Sequence, residues 1–473
     1  MKVPLIAGAY QARSFIAAAQ SCVNLYPEHN PEGESFPTTH YPTPGSTVLL
    51  TAPDIVWRCL YTSSDNRLFG VCGASVYLIR DDLTLQLLGG ITSGTTPCYM
   101  VDNGVQILLI DGSPNGYKIT LATLAYDPVA NPAFYGATRI AEVDGYIILN
   151  RPGTNQWYIS LFRDIEFDAL DFASKIGSSD RLVAPGVTRR NVFLFGEQTT
   201  EIWTNTGGAA FTFSRIPGAF IQFGCKAPHS ICEADGSLYW VSQSPQGECM
   251  VLRTENYDRA RISTHAIENE LQKYATVADA IGYVQQMNGH YWYVLTFPSA
   301  SKTWVFDLAT EQWHERAYLE ENGTFSRHRG NCFAFWNGRH IVGDYADGRL
   351  YELSLDVHTD AGNEIRRVRS FPHLVDDGNR VTYLSFQADM ESGDPSSQEP
   401  DFAPEIRLRY SDSKGGDWSN HLSTSLGMRG NYKAIARWFR LGQARDRVFE
   451  LSWSADMKTA LNGAYVDLAP GVK

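Results

Sequence analysis

A recurring hairpin signal constrains the fold of this chain more than any other feature. A short apolar strand, an Asp-Gly or Asn-Gly dipeptide and a second apolar strand occur together five times. Asp, Asn and Gly tolerate the positive φ angles that a two-residue type I′ turn needs, so each copy predicts an antiparallel hairpin. The five turns are Asn103-Gly104, Asp144-Gly145, Asp235-Gly236, Asn288-Gly289 and Asn337-Gly338.

The hairpins return at a nearly constant interval. Two degenerate copies, around Asn66 and Arg190, complete a series with a mean spacing of about 45 residues, and a third strand candidate follows each hairpin. Repeated antiparallel meanders of this length are typical of β-propeller blades, and about seven of them fit between residues 50 and 358. A long β-sandwich is the alternative, since short strands with regular turns occur there too. The common position of the turn within each unit favours the propeller.

The chain divides into three parts, and the predicted fold class is all-β. Residues 1–48 are rich in Pro and lack periodicity, which predicts an extended N-terminal arm. Residues 49–360 hold the propeller repeats, and residues 361–473 hold alternating strand candidates that predict an additional C-terminal antiparallel β domain, sandwich-like in form. One helix is expected between Thr264 and Tyr274. The Pro-, Gly- and Ser-rich segment 391–400 is expected to be a mobile loop.

The distribution of charge supports a boundary near residue 360. The chain carries a formal charge of −12. Residues 361–473 contain 15 Lys and Arg against 15 Asp and Glu, so the whole of this negative charge lies in residues 1–360. A protein that grips nucleic acid electrostatically is expected to be basic. The charge therefore argues against tight binding of duplex DNA as the main function.

The sequence contains none of the common catalytic or cofactor-binding motifs. Motifs for phosphate, dinucleotide, serine-esterase and zincin chemistry are absent, and we predict neither an enzyme, nor a cofactor, nor a metal site. The acidic segment 344–352 fits no EF-hand spacing and is expected to be a solvated turn. Residues 411–418 resemble a degenerate Asp-box, which is a structural turn. The eight cysteines form no CxxC pair and are expected to be buried thiols, and no apolar run reaches the roughly 20 residues of a membrane helix.

Four basic clusters are candidates for contact with phosphate or with an acidic partner, through charged hydrogen bonds. The alternative is that they are solvated strand edges, where charge discourages unwanted pairing. The cluster of Arg366, Arg367 and Arg369 is the best candidate because it lies at the expected domain boundary. The other three are Arg189-Arg190, Arg327-His328-Arg329 and Arg437-Trp438-Phe439-Arg440.

The N-terminal segment resembles a known family. The motifs that carry the resemblance are Arg13-Ser14, Ala18-Ala19-Gln20, residues 22–28 (CVNLYPE), residues 41–45 (YPTPG), Trp57-Arg58 and residues 67–77 (RLFGVCGASVY). They are similar to the opening of the podovirus packaged-DNA stabilisation protein, the tail accessory factor that forms the hub or nozzle of short-tailed phages. Looser similarity continues through Glu201-Ile202-Trp203, residues 225–228 and residues 266–270, and returns at residues 445–452 and 461–466.

The resemblance implies a protein of the virion tail, made and assembled in the cytoplasm of the bacterial host. Six copies would form a ring below the portal and the adaptor, contacting tail fibres or spikes at the side and a plug or needle at the tip. The ring would extend the DNA channel, retain the packaged genome and permit its ejection. Double-stranded DNA would pass through without sequence-specific contact, because an acidic wall repels phosphates over a Debye length of about 10 Å.

The arm and the charge-neutral C-terminal part are the segments expected to contact other proteins. The residues predicted to bind partners are Asn24, Leu25, Tyr26, Pro27, Arg366, Arg367 and Arg369. Two other functions stay open at this point. One is a carbohydrate-binding or glycoside-cleaving propeller that acts on host-surface glycans, and the other is a WD-like interaction scaffold in a cell.

Overall fold

The fold is all-β, as predicted. The computed structural model describes residues 2–3, 20–32, 36–209, 211–244, 246–391, 404–428, 430–431 and 433–471. One short α-helix, His265–Leu271, starts within the predicted range, and the hydroxyl of Thr264 caps it by accepting from the backbone N–H of Ile267. Two 3-10 turns accompany it, Pro228–Ser230 and Pro298–Ala300. All the other regular elements are strands.

Six consecutive four-stranded antiparallel sheets form blades of a β-propeller, and each is built from strands that follow one another in sequence. The first blade comprises Trp57–Thr62, Leu68–Cys72, Ser75–Ile79 and Leu85–Gly90. The second comprises Tyr99–Asp102, Gln106–Ile110, Gly116–Thr120 and Tyr126–Pro128. The third comprises Ile140–Val143, Tyr146–Asn150, Gln156–Ile159 and Phe172–Ser174. The fourth blade comprises Leu182–Thr188, Asn191–Gly196, Thr200–Asn205 and Phe213–Ile221. The fifth comprises Cys232–Ala234, Ser237–Gln243, Cys249–Glu255 and Asp258–Arg261. The sixth comprises Ile281–Met287, His290–Phe297, Lys302–Asp307 and Gln312–Glu315. The small hairpin Ala317–Leu319 with Phe325–Arg327 follows the sixth blade.

The ring is completed by a sheet that uses both ends of the propeller segment, which we call the closing sheet. Its strands Gly330–Trp336, Arg339–Asp344 and Arg349–Ser354 are joined by Gly45–Thr51, which pairs antiparallel with Arg349–Ser354. The short strands Thr359–Asp360 and Asn363–Glu364 extend it. One face of the closing sheet packs against the sixth blade and the other against the first. The predicted seven contiguous units are not supported, because the last three strands lack a fourth strand of their own.

The hairpin turns explain why these segments fold as meanders. Asp144 and Gly145 have φ angles of 54° and 85°, the left-handed pair that a type I′ turn requires. In the degenerate fourth-blade copy, Arg189 and Arg190 adopt 47° and 61°. The strands on either side bury apolar side chains on both faces, and a separate apolar core fills the space between each pair of neighbouring blades. Burial of this apolar surface provides the main driving force for the ring.

The rest of the chain forms a two-layered β-sandwich. Its first sheet contains Leu25–His29, Thr38–Pro42, Ala460–Pro470, Val381–Glu391 and Ala436–Phe439, with Lys2–Val3 and Gln443–Ala444 at its margins. Its second sheet contains Cys22–Val23, Arg367–Ser370, Asp446–Trp453, Glu405–Ser411 and Leu422–Ser425, with Leu374–Val375 beside them. Phe386 from the first sheet packs against Phe449 from the second, with ring centroids 4.7 Å apart. Additional C-terminal strands were expected, and the structure contains them.

The N-terminal segment is not a free extended arm where the structure describes it. Leu25 and Cys22 lie in the sandwich core, and Gly45–Thr51 crosses the expected boundary at residue 48 to join the closing sheet. The reason is the burial of apolar side chains spaced too irregularly to give a sequence signal. Residues 1, 4–19 and 33–35 of the expected arm, and residues 392–400 of the expected loop, lie outside the described residues.

Candidate interaction surfaces

The residues predicted to bind partners meet at a joint between the propeller and the sandwich. Cys22–Val23 pairs antiparallel with Arg367–Ser370 of the sandwich, and Val23 pairs in parallel with Glu315 of the sixth blade. The sixth blade and the second sandwich sheet are therefore one continuous hydrogen-bonded sheet, with this short N-terminal strand between them. We call this segment the joint strand.

Asn24 fastens the joint strand from both sides. Its Nδ2 donates to the carbonyl oxygens of Ala317 and Arg366, both at 2.9 Å, and its Oδ1 accepts from the backbone N–H of Ala317 at 2.8 Å. Asn24 is only 2% exposed and adopts a left-handed φ of 56°. Asn tolerates this conformation better than most residues, so both the backbone and the side chain of Asn24 suit the position.

The arginines of the expected basic cluster serve the same joint. Arg367 is buried and donates to the carbonyl oxygens of Ala455 at 3.0 Å and His358 at 3.1 Å. Arg369 is buried beside Cys22, and its Nη1 lies 3.4 Å from the carbonyl oxygen of Ser21. Burial raises the pKa of the Cys22 thiol to about 11, although the Arg369 charge opposes this.

Most of the residues predicted to bind partners are buried. Six of these side chains make contacts inside this chain: Asn24, Leu25, Tyr26, Pro27, Arg367 and Arg369. Their binding of a partner stays a prediction. Arg366 is partly exposed. It lines a cleft of about 560 Å³ together with Glu364, Glu405, Arg407 and Asp456. Its binding of a partner stays a prediction.

The central axis of the propeller is crossed by side chains. Tyr99, on the first strand of the second blade, contacts His229, which precedes the first strand of the fifth blade, with 2.8 Å between its hydroxyl and the His229 Nδ1. Two blades separate them on one side of the ring, so the contact spans the axis. The Arg139 guanidinium lies 4.6 Å from the Tyr99 ring centroid, and Tyr293 holds the segment by donating to the Ser230 carbonyl oxygen at 2.7 Å. The side chains of Tyr99, His229 and Arg139 therefore narrow the hole along the propeller axis.

The axial contact predicts a pH-dependent stability. Burial, helped by the Arg139 charge, lowers the pKa of His229 from 6.5 to about 4. Between pH 6.5 and 4, His229 is therefore neutral in the folded state but protonated in the unfolded chain. Because the unfolded state binds more protons in this range, the free energy of unfolding falls as the pH is lowered. We expect His229→Gln to flatten this fall, measured as the midpoint of thermal unfolding at pH 7, 5.5 and 4.5. An unchanged slope in the variant would contradict this assignment.

The first hairpin turns of the blades lie together on one face of the propeller, because all the first strands run in the same direction. We call it the turn face. Adjacent turns are bonded to each other: Asn66 Nδ2 donates to Asn337 Oδ1 at 2.9 Å, and Arg190 Nε donates to Asp144 Oδ1 at 2.9 Å. Phe162, 60% exposed, stands beside the third-blade turn. The turn face thus carries charged tips and, at Phe162, an exposed aromatic side chain.

The acidic segment and the cysteines occupy structural positions. Among the residues that the structure describes, no three metal-ligating side chains come together. Asp344, from the acidic segment, is fully buried, and it accepts from the Tyr351 hydroxyl at 2.7 Å and the Ala346 N–H at 2.6 Å. All eight cysteines are free thiols; seven are buried and Cys332 is partly so, which confirms the sequence interpretation. Within the described ranges, no helix is long and apolar enough to cross a membrane.

These features define a class: a β-propeller, closed by its own N-terminal strand, with a β-sandwich attached through a buried joint. The chain belongs to the phage stabilisation family, whose model, described as "Bacteriophage P22 Gp10, beta-propeller", matches residues 1–358. The resemblance seen in the sequence is therefore confirmed. The protein is a phage structural β-propeller associated with DNA stabilisation.

Other comparisons add little to this assignment. No curated protein matches the chain. Solved structures similar to it include the N-terminal domain of Nup159 (11% identity, 70% of this chain and 98% of that one, TM-score 0.40) and the WD40 β-propeller domain of Doa1 (11%, 66% and 97%, 0.40). The computationally designed Ika8 protein is also similar (12%, 65% and 99%, 0.40). At these TM-scores the likenesses carry no argument about function.

Proposed function

We propose that the protein is a wall-forming subunit of a short phage tail, the hub or nozzle, present in six copies below the portal and the adaptor. The ring of subunits extends the DNA channel, retains the packaged genome and permits its ejection. The match of residues 1–358 to a phage stabilisation family carries this proposal. A glycan-cleaving propeller is not favoured, since the matched family is a structural one.

Two features of the molecule support a role in a channel wall. The contact between Tyr99 and His229 crosses the propeller axis, so a DNA duplex would travel between subunits and not through one of them. Residues 1–360 carry 37 acidic against 25 basic residues, and such a surface repels the phosphates of passing DNA. Low affinity for DNA is then the useful property, because it lets the genome slide.

The architecture suits a part that bears load. We propose that the closing sheet acts as a seventh blade, and that the sandwich, which the C-terminal part (361–473) builds together with strands between residues 22 and 42, fastens the subunit to its neighbours. The turn face and the Arg366 cleft are the exposed surfaces that we assign to neighbouring adaptor, fibre or spike, and plug or needle proteins. A propeller exposes few free strand edges, which limits unwanted association.

Retention of DNA by particles lacking the protein tests this function. We expect such particles to package DNA and then lose it, so that most of the genome becomes sensitive to added nuclease, whereas complete particles protect it. Adding the purified protein to freshly packaged particles should restore protection. Electron microscopy of the repaired particles should show six-fold density below the adaptor. Full protection in particles without the protein would overturn the proposal.

A further inference from the structure

The interface between the sixth blade and the closing sheet contains a buried cation that forms no direct ion pair with a carboxylate of the described residues. Arg316 is 1% exposed, and its Nη1 donates to Gln285 Oε1 at 2.8 Å. Within the part of the chain that the structure describes, its Nε and Nη2 have no hydrogen-bond partner. Among the described residues, no carboxylate forms an ion pair with Arg316. The nearby carboxylate of Asp307 is bound to His290 Nδ1 at 2.7 Å and accepts from the Ala309 N–H at 3.0 Å.

Other unpartnered donors surround the same guanidinium. Gln285 is fully buried, and its Nε2 has no hydrogen-bond partner among the described residues. The Oε1 of the same side-chain amide accepts from Arg316. Trp292 lies opposite Gln285 in the strand register, and its Nε1 is unpartnered too. The Arg316 guanidinium carbon is 4.6 Å from the Trp292 ring centroid. The hydroxyl of Tyr283, two residues before Gln285 and therefore on the same face of the strand, is also without a partner.

A further polar side chain extends the group. His314 lies two residues before Arg316 on the outer strand of the sixth blade, is fully buried, and has no partner for either ring nitrogen. Burial and the Arg316 charge lower the pKa of His314, so its ring is neutral and carries one N–H. The interface therefore concentrates N–H and O–H donors around one positive charge.

The free-energy cost of burying unpartnered donors and a charge indicates what this cluster of side chains would bind. A buried donor without an acceptor costs about 1–3 kcal/mol, and an unpaired buried charge costs more. The stack on Trp292 offsets only part of this cost. Ordered water can satisfy the donors, but among the described residues only the Asp307 carboxylate, which His290 shares, then opposes the Arg316 charge; a small anion satisfies the donors and balances the charge as well. Val294, Val305 and Tyr351 pack in the same interface, and in such apolar surroundings a multiply charged oxyanion would cost far more to bury than a monovalent anion.

We propose that this interface binds one chloride-sized monovalent anion, held by Arg316, Gln285 and the neighbouring unpartnered donors. The anion neutralises the buried guanidinium and fastens the sixth blade to the closing sheet. This site is independent of any role in a phage tail, because it lies inside one subunit. Its occupancy stabilises the closure of the ring.

Halide dependence of unfolding tests the site. At constant ionic strength, with chloride exchanged for a bulky organic anion such as gluconate, we expect the midpoint of thermal unfolding to rise by about 1–3 °C for each tenfold increase in chloride. Arg316→Gln should abolish this rise. The matched control is Arg58→Gln: Arg58 is also buried, but it gives its donors to the carbonyl oxygens of Thr96, Gly73 and Thr92, so this variant should be less stable and keep the full chloride response.

A second measurement needs no variant. Crystals of the full chain prepared with bromide in place of chloride should show an anomalous peak within hydrogen-bond distance of the Arg316 guanidinium. Ordered waters alone at that position, with no bromide peak, would overturn the proposal. So would a chloride response that Arg316→Gln leaves unchanged. Bromide only at surface lysines or arginines would show adventitious binding and count equally against the site.

Discussion

Replacing Asn24 by Ala is expected to uncouple the sandwich from the propeller. The change removes three hydrogen bonds from a side chain that is 2% exposed, and it leaves backbone groups of Ala317 and Arg366 without partners. Each buried group left unsatisfied costs about 1–3 kcal/mol, so we expect a loss of about 3 kcal/mol or more. In calorimetry, the variant should unfold in two separated transitions, with the sandwich melting first.

Two further variants separate the causes of this effect. Asn24→Gly keeps the φ of 56° accessible, so it should recover the roughly 1 kcal/mol of backbone strain but not the hydrogen bonds. Asn66→Ala is the matched control, because Asn66 also has a left-handed φ, of 61°, and a side-chain hydrogen bond, but at an exposed hairpin tip. We expect Asn66→Ala to lose only the roughly 1 kcal/mol of backbone strain that both alanine variants share. If Asn24→Ala were no more destabilised than Asn66→Ala, the joint would not depend on this side chain.

Replacing Arg447 by Ala should destabilise the sandwich by about 2–4 kcal/mol, because it removes the packing and hydrogen bonds of a buried side chain; the Asp412 carboxylate that remains is 44% exposed and regains water. Arg447 is 1% exposed, and its Nε and Nη2 donate to the two oxygens of Asp412 at 2.6 and 2.7 Å. Its guanidinium carbon is also 4.4 Å from the Tyr383 ring centroid and 4.1 Å from that of Tyr410. The substitution removes charge, stacking and volume together. Urea unfolding followed by aromatic circular dichroism measures the loss.

The neighbouring Arg445 provides the control for this experiment. Arg445 is exposed and donates to the Gly378 carbonyl oxygen, so Arg445→Ala should change the free energy of unfolding by less than about 1 kcal/mol. Arg447→Lys keeps the charge but cannot bind both oxygens of Asp412, and an intermediate loss is expected. Equal stability of Arg447→Ala and Arg445→Ala would show that the buried Arg447 side chain contributes nothing to the sandwich.

Local features of the fold could be read from the sequence because their causes are local. The turn at Asp144 and Gly145 depends on two residues that accept a positive φ, and the helix from His265 depends on a cap three residues before Ile267. The alternating strands of the C-terminal part were predicted for the same reason. A pattern of this kind also fixes the interval between units, which indicated the propeller.

The joint and the axial contact could not be predicted, because their partners are distant in sequence. Asn24 is bonded to residues 293 and 342 positions away, and Tyr99 meets a residue 130 positions away. From the sequence, Arg367 and Arg369 were expected at the surface. Nothing in the sequence indicates that their guanidinium groups are buried beside backbone carbonyl oxygens of the same chain. The two-residue strand at Cys22 is too short to give any periodic signal.

The strand Gly45–Thr51 emerges from the ribosome about three hundred residues before the strands that it must pair with. During translation it therefore waits unpaired, and the ring stays open until synthesis has passed Ser354. Chain closure over such a span is entropically costly and slow. Prematurely terminated products would thus carry an open edge, and only polypeptides translated nearly to the end would be competent for incorporation into a particle.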